Sequence, residues 1–193
     1  MKKDFVSRKD SMILAAIDII SENGVQGLST KEIAAKQGIS ESLLYKHFKS
    51  IDEVLVAVVA YFGRFDTMIF NTMLKRNISY KEKILGSVES FIELYENYPS
   101  LAAIVLNYET LMHYEHTKDS MRKIIEGRSA FMVELIERGQ NAGEIKDYFS
   151  AQELADIVLG LTKTIILRWK MGDYKFSVKE CMLATIKKVL DKC

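Results

Sequence analysis

Apolar residues along this chain recur at helical spacing, every three to four positions, and no strand-like alternation persists. Ile13, Ala16, Ile17 and Ile20 form one stripe, stopped by "ENG" with Gly24 in the C-cap position. "KEIAAKQG" reads as a short second helix, with Thr30 in the N-cap position and Gly38 as its stop. The acid that a capping box wants three residues after Thr30 is Ile33 instead. Ser40 caps a third helix, "ESLLYKHF". A fourth starts at Ser50, with Glu53 at capping-box spacing, and meets no breaker but Gly63 before about Leu74. The same periodicity predicts helices over 79–97, 99–114, 118–142, 151–171 and 176–191. Asn97-Tyr98-Pro99, "QNAGEI" (turn residues Asn141 and Gly143) and "MGDYKFS" make the corners between them. The expected fold is all-α, without internal repeat, low-complexity tract or linker.

Composition narrows the function. With 193 residues, 48% of them apolar, the chain can bury a normal core in one moderate domain or in a small module joined to a larger one. The net charge of +1 excludes a bulk polyelectrolyte contact with nucleic acid or membrane, so any basic surface is local. The two cysteines, Cys181 and Cys193, show no disulfide-framework spacing, which fits a reducing, cytoplasmic setting. Residues 1–10 are charged and the apolar run after them is broken by Asp18, unlike a signal peptide. The most apolar window, Ala155 to Trp169, is too short to span a bilayer and holds Lys163 and Arg168, so it reads as a buried helix and no membrane is expected.

Three short helices in the first 50 residues, with a tight turn at Gly38, form a helix-turn-helix pattern. Ala34 is small where two helices cross, and Ile33, Ile39, Leu44 and Phe48 supply an inner face. Glu41, Ser42, Lys46 and His47 then face outward, with Tyr45 and Lys49 toward the helix end, as hydrogen-bonding groups on a helix narrow enough for a major groove. "LSTKEIAAKQGISESLLYKHFKSIDEVL" resembles the DNA-binding domain of the TetR family of bacterial transcriptional regulators. The matching residues are Thr30, Ile33, Ala34, Gly38, Ile39, Ser40, Leu44, Tyr45, His47, Phe48 and Ser50, within roughly residues 10–60. The helical remainder, with "IERGQNAGEI" before a long apolar helix, resembles the family's ligand-binding and dimerisation half. The resemblance implies two domains, 1–50 for DNA and 51–193 for ligand and dimer. Two departures stand out: the Lys that usually follows the Ser is Ile51, so Lys49 has to serve, and Ser42 replaces a usual Gly, Ala or Pro.

Within that resemblance Thr30, Tyr45 and Lys49 are the expected phosphate contacts, which set register without reading sequence. Glu41, Ser42, Lys46 and His47, with Lys31 from helix two, are the expected base-edge group, and Ser40 completes the set. Leu43 either touches a thymine methyl or packs partly buried. The expected partner is a double-stranded, palindromic operator, because one helix-turn-helix makes few contacts and paired half-sites need a homodimer.

The dimer surface is expected on the last two helices. Leu154, Ile157, Val158, Leu161, Ile165 and Trp169, with Gly160 for close approach, pair with Val178, Met182, Ile186 and Val189 to make a four-helix bundle. Ile166, Leu167 and Leu183 are surplus apolar positions that favour it. The middle helices carry adaptable side chains, and Phe65, Met68, Phe91, Tyr95, Tyr108, Met112 and Phe131 are candidates to hold a small apolar or amphipathic effector, each competing with a plain core role. Arg128 either meets an acid group of that effector or snorkels to water. No catalytic constellation appears and no cofactor is implied. His113 and His116, near Glu109 and Glu115, have no Cys beside them, and no metal is expected.

Overall fold

The computed structural model describes residues 7–192, and the reading of Cys193 and of residues 1–6 falls outside them. All regular structure among these residues is helical. The first helix, α1, spans Arg8–Asn23 and is capped by Ser7, whose hydroxyl accepts from the Asp10 amide at 3.0 Å. It ends at Gly24, whose N–H donates to the Ile20 carbonyl. Met12, Ile13, Ala15, Ala16, Ile17, Ile19 and Ile20 are all buried, which makes α1 the centre of the N-terminal core.

A 3₁₀ turn, Val25–Gly27, leads to α2, Thr30–Gln37. Its cap is Ser29 rather than Thr30: the Ser29 hydroxyl accepts from the Glu32 amide, so the S-x-x-E spacing lies one residue earlier than Thr30 suggests. Gly38 adopts φ +64, and the amides of Gly38 and Ile39 donate to Ala35 and Ala34, closing the helix in a Schellman motif. Ser40 caps α3, Glu41–Tyr45, three residues shorter than the pattern predicts. Lys46 and His47 form a turn, with amides donating to Leu43 and Leu44, because Phe48 is drawn into the core beside Lys9 and the next cap follows at once. That cap is Ser50, which opens α4, Ile51–Gly63, while the Glu53 carboxylate reaches back to the Lys49 amide at 2.7 Å.

The long fourth helix expected to run to Leu74 is two helices. The chain turns at Arg64 and Phe65, after the weak helix former Gly63, and α5 (Asp66–Lys75) begins with an acid in the first turn where the helix dipole favours it. Ser79 and Glu82 form a full capping box for α6, Tyr80–Asn97. Hydrogen bonds from the Ser79 side chain and backbone hold the Glu82 carboxyl below its usual range. The helix expected over 99–114 is likewise broken, into a 3₁₀ turn at Pro99–Leu101, α7 (Ala102–Leu106) and α8 (Tyr108–Met112). Asn107 breaks it: its side-chain amide donates to the Ala103 carbonyl and competes with the helix ladder.

The remaining helices are α9 (Glu115–Asn141), α10 (Ala151–Met171) and α11 (Val178–Lys192). Ser150 and Glu153 form a second full capping box, at the start of α10, and the Ser150 backbone and hydroxyl depress the Glu153 carboxyl. Lys179 ties α11 to α6 through Glu89 and Glu93, at 2.6 and 2.7 Å, and these hydrogen bonds raise its pKa.

Compactness divides the chain into two units. The first runs to Arg64 and includes Ser100–Arg122, because α4 and α7 both pack on α1. The second comprises Phe65–Pro99 and the chain from Lys123 onward, where α6 packs on α5 and α11. Most of the stripes expected to face a second chain are spent on the core: Leu154, Val158, Ile165, Ile166, Trp169, Val178, Met182 and Ile186 are all buried within the chain itself. Ile157, Leu161, Leu183 and Val189 are half-buried, and Gly160 and Leu167 are exposed.

Candidate nucleic-acid interface and effector site

On the first unit, the Gly38 corner sets α3 against α2 with Ile33, Ala34 and Leu44 buried between them. That packing turns the polar residues outward. Lys31, Ser40, Glu41, Ser42, Tyr45, Lys46 and Lys49 are exposed, while Thr30, Leu43 and His47 are half-buried. Lys46 and His47 stand in the turn after α3 and not on the helix itself, so they follow its C-terminal end.

Several of these groups already have partners. The Thr30 hydroxyl donates to the Glu41 carboxylate at 2.8 Å and lies 3.5 Å from the Tyr45 hydroxyl, joining α2 to both ends of α3. The Ser40 hydroxyl accepts from the Leu43 amide as a cap and sits 3.0 Å from the Ser42 hydroxyl. Thr30, Tyr45 and Lys49 line one open depression of about 400 Å³ with Ser29 and Ser50, so four hydroxyl-bearing residues and a lysine from separate segments share one concave place. Hydroxyls and a lysine in such a cleft suit a phosphate group.

The second unit holds a different cluster. Arg128 on α9 donates through Nε and Nη2 to the two carboxylate oxygens of Asp66, both at 2.8 Å, and through Nη1 to the Tyr95 hydroxyl at 3.2 Å. The pair is well buried, with side chains 17% and 11% exposed. Burial opposes the Arg128 charge, but Tyr95 and the bidentate carboxylate outweigh it, and its pKa is raised. Burial pushes the Tyr95 phenol up as well. Beside this lies an aromatic group: Phe70 stacks on Phe131 at 4.2 Å and meets Phe91 edge-on at 6.3 Å, and the Arg128 guanidinium sits 4.4 Å from the Phe91 ring.

The eight expected effector contacts are shared between the units. Phe91, Tyr95, Arg128 and Phe131 come together in the second unit. Phe65 and Met68 belong to the same unit, but Met68 is 60% exposed. Tyr108 and Met112 belong to the first unit. Arg128 is paired within the chain itself: its acid is Asp66. His116 lies 3.9 Å from Asp52 on α4.

Sequence comparison places these features in a family. Residues 13–58 match the family described as bacterial regulatory proteins, tetR family, and residues 61–191 match the YsiA-like protein C-terminal region. The chain belongs to the TetR family. It is a DNA-binding transcriptional regulator of all-helical fold. Among curated TetR-like relatives, the fatty acid metabolism regulator protein of Bacillus subtilis (strain 168) is 23% identical over 168 residues, 86% of each chain. The nucleoid occlusion factor SlmA of Vibrio vulnificus (strain YJ016) is 22% identical over 176 residues, 90% of this chain and 89% of its own. The fold is shared with the regulator FadR from Bacillus subtilis in complex with stearoyl-CoA, at TM-score 0.76 and 20% identity over 93% of this chain and 96% of that one. It is also shared with the ketosteroid regulator KstR2 of Mycobacterium tuberculosis, at TM-score 0.84 and 16% identity over 98% and 96%. No helix among the described residues is long and apolar enough to cross a membrane.

Two features of this TetR-family chain escaped the sequence reading. Asp66 and Phe70 stand beside the expected effector residues, and their signal was a lone acid in the apolar run "FDTMIF" with an aromatic four residues on. Ser29 as a cap was visible as "STKE".

Proposed function

We propose that this regulator is a homodimeric, cytoplasmic repressor whose grip on a palindromic operator weakens when an amphipathic acyl compound binds its second unit. The observation that carries the DNA part is the shared depression of Thr30, Tyr45 and Lys49 beside the exposed row Lys31, Ser42 and Lys46. In this reading the first three clamp phosphate, and Lys31, Ser42, Lys46 and His47 meet base edges, with Leu43 against a thymine methyl. Ser40 and Glu41 act mainly within the protein, as cap and as partner of Thr30. DNA reading then belongs to residues 1–50, and effector binding and dimerisation to 51–193. Self-association is assigned to the apolar positions that the chain leaves exposed or only half-buried: Ile157, Gly160, Leu161, Leu167, Leu183 and Val189.

The acyl class is supported by the half-buried aromatics Phe70 and Phe91 beside a neutralised ion pair, and by relatives named for fatty acid metabolism and solved with stearoyl-CoA. A ligand favouring the weak-binding state by about 1–3 kcal/mol lowers operator affinity roughly 5–150-fold. The test selects duplexes from a random pool and measures their affinity by fluorescence anisotropy with and without stearoyl-CoA. Selection of a palindrome released by the acyl compound is the expected result. An affinity unmoved by stearoyl-CoA, at concentrations where it binds the protein, would overturn the control mechanism.

A further inference from the structure

The polar and aromatic groups of the second unit are paired helix by helix. Asp66 and Phe70 are four apart on α5, Phe91 and Tyr95 four apart on α6, and Arg128 and Phe131 three apart on α9. Residues so spaced lie on one helical face. Three helices thus present a polar layer of Asp66, Tyr95 and Arg128 next to an aromatic layer of Phe70, Phe91 and Phe131.

Hydrogen-bond accounting singles out one atom of the polar layer. A guanidinium only donates, so the Tyr95 oxygen is the acceptor in its bond with Arg128. The phenol keeps its own proton, and among the described residues no protein group accepts it. Tyr95 is 2% exposed, and a buried donor that finds no acceptor costs about 1–3 kcal/mol. Arg128 donating into the same oxygen polarises the O–H and makes it a better donor. Burial holds the phenol protonated, so it remains a donor at neutral pH. The Asp66–Arg128 pair is already neutral, so a further carboxylate on Arg128 would have to share that cation with the negative charge of Asp66. A neutral carbonyl oxygen carries no such cost.

We propose that the Tyr95 hydroxyl is the polar recognition point of the effector, donating to the carbonyl oxygen of an acyl group whose chain lies along Phe70, Phe91 and Phe131. This rests on the acyl-effector reading above and assigns its head-group contact.

The experiment compares stearoyl-CoA with octadecyl-CoA, the thioether that lacks only the carbonyl oxygen, by calorimetry on the full chain. Wild type should prefer the thioester by about five- to tenfold, as one net hydrogen bond allows. Tyr95→Phe should bind both alike, at the wild-type thioether affinity. The infrared band of ¹³C-carbonyl stearoyl-CoA provides a readout on wild type that needs no variant. It should fall below its position in an aprotic solvent when bound. Equal wild-type affinities for the two compounds, or a bound band at the aprotic position, would remove the Tyr95 assignment and leave the acyl-effector reading intact. A wild type that binds neither compound would remove both.

Discussion

Asp66→Asn is the sharpest perturbation of the second unit. Asp66 and Arg128 meet through two parallel bonds of 2.8 Å with side chains only 11% and 17% exposed, so the amide leaves a nearly buried cation facing half of its former acceptor. Removing one partner of a buried pair costs about 3–5 kcal/mol, and the remaining amide oxygen puts this case near the lower end. For a chain of this length about 3 kcal/mol corresponds to a fall of roughly 6–12 °C in Tm. Asp66→Leu combined with Arg128→Met removes both charges and should return to within about 1 kcal/mol of wild type. Urea unfolding followed by circular dichroism, on Asp66→Asn, Asp66→Leu, Arg128→Met and the double variant, measures each term. The sign with pH is also set. The folded pKa of Arg128 is raised, so its contribution is fully present below the ordinary guanidinium pKa and is constant over the pH range of such measurements. Asp66→Asn within about 0.5 kcal/mol of wild type, or a double variant no better than the single, would refute the claim that this pair is a buried lock.

Lys49→Ala should weaken binding to operator and unrelated duplexes alike and lower the slope of log affinity against log salt by about one, read by anisotropy at several salt concentrations. Gly160→Trp tests the association face: a Cβ there meets nothing within 4 Å in the chain itself, so sedimentation should show a weakened dimer while circular dichroism is little changed. Ile186→Lys, by contrast, should unfold the chain, since Ile186 is fully buried in its own core. The depressed carboxyls of Glu82 and Glu153 stabilise the fold above their unfolded pKa and lose that contribution as pH falls through the lower folded values. Thermal melts between pH 6 and about 3 should therefore show a shallower acid decline in the Glu82→Gln, Glu153→Gln double variant.

Helix existence was legible here because burial follows the 3.6-residue period. The predicted stripes of α1, α10 and α11 are the faces that are buried. The same regularity limits what a stripe says about a dimer surface. A stripe on one helix has the same spacing whether it meets its own core or a second copy, and Val178, Met182 and Ile186 meet their own core. Only the positions left over after the core is filled can carry association, and the sequence does not say which those are. The missed breaks have a local cause. Asn107 ends a helix by donating its own side chain to Ala103, a competition that leaves no trace in apolar periodicity. At Arg64 and Phe65 the only mark was Gly63, which helices often tolerate.

The polar and aromatic cluster of the second unit shows a subtler limit. That Phe91, Tyr95, Arg128 and Phe131 lie together was legible because adaptable side chains at i, i+3 and i, i+4 recur on α6 and α9. The role of Arg128 was not, since whether a buried cation awaits a ligand depends on whether a carboxylate 62 residues away in sequence reaches it. Asp66 does reach it, so the cation is shared within the chain, and the Tyr95 hydroxyl is the group of this cluster whose proton has no acceptor among the described residues. The position of Asp66 adds a consequence. It is the first residue of α5, just past the break that separates α5 from α4, and α4 follows the DNA-reading segment directly at Ser50. Arg128 thus links Tyr95 to the first turn of α5 through Asp66. A single helix from Ser50 to Leu74 would place Asp66 mid-helix; the break at Arg64 and Phe65 makes it the first residue of α5 instead, where the helix dipole favours an acid and the buried pair with Arg128 holds it.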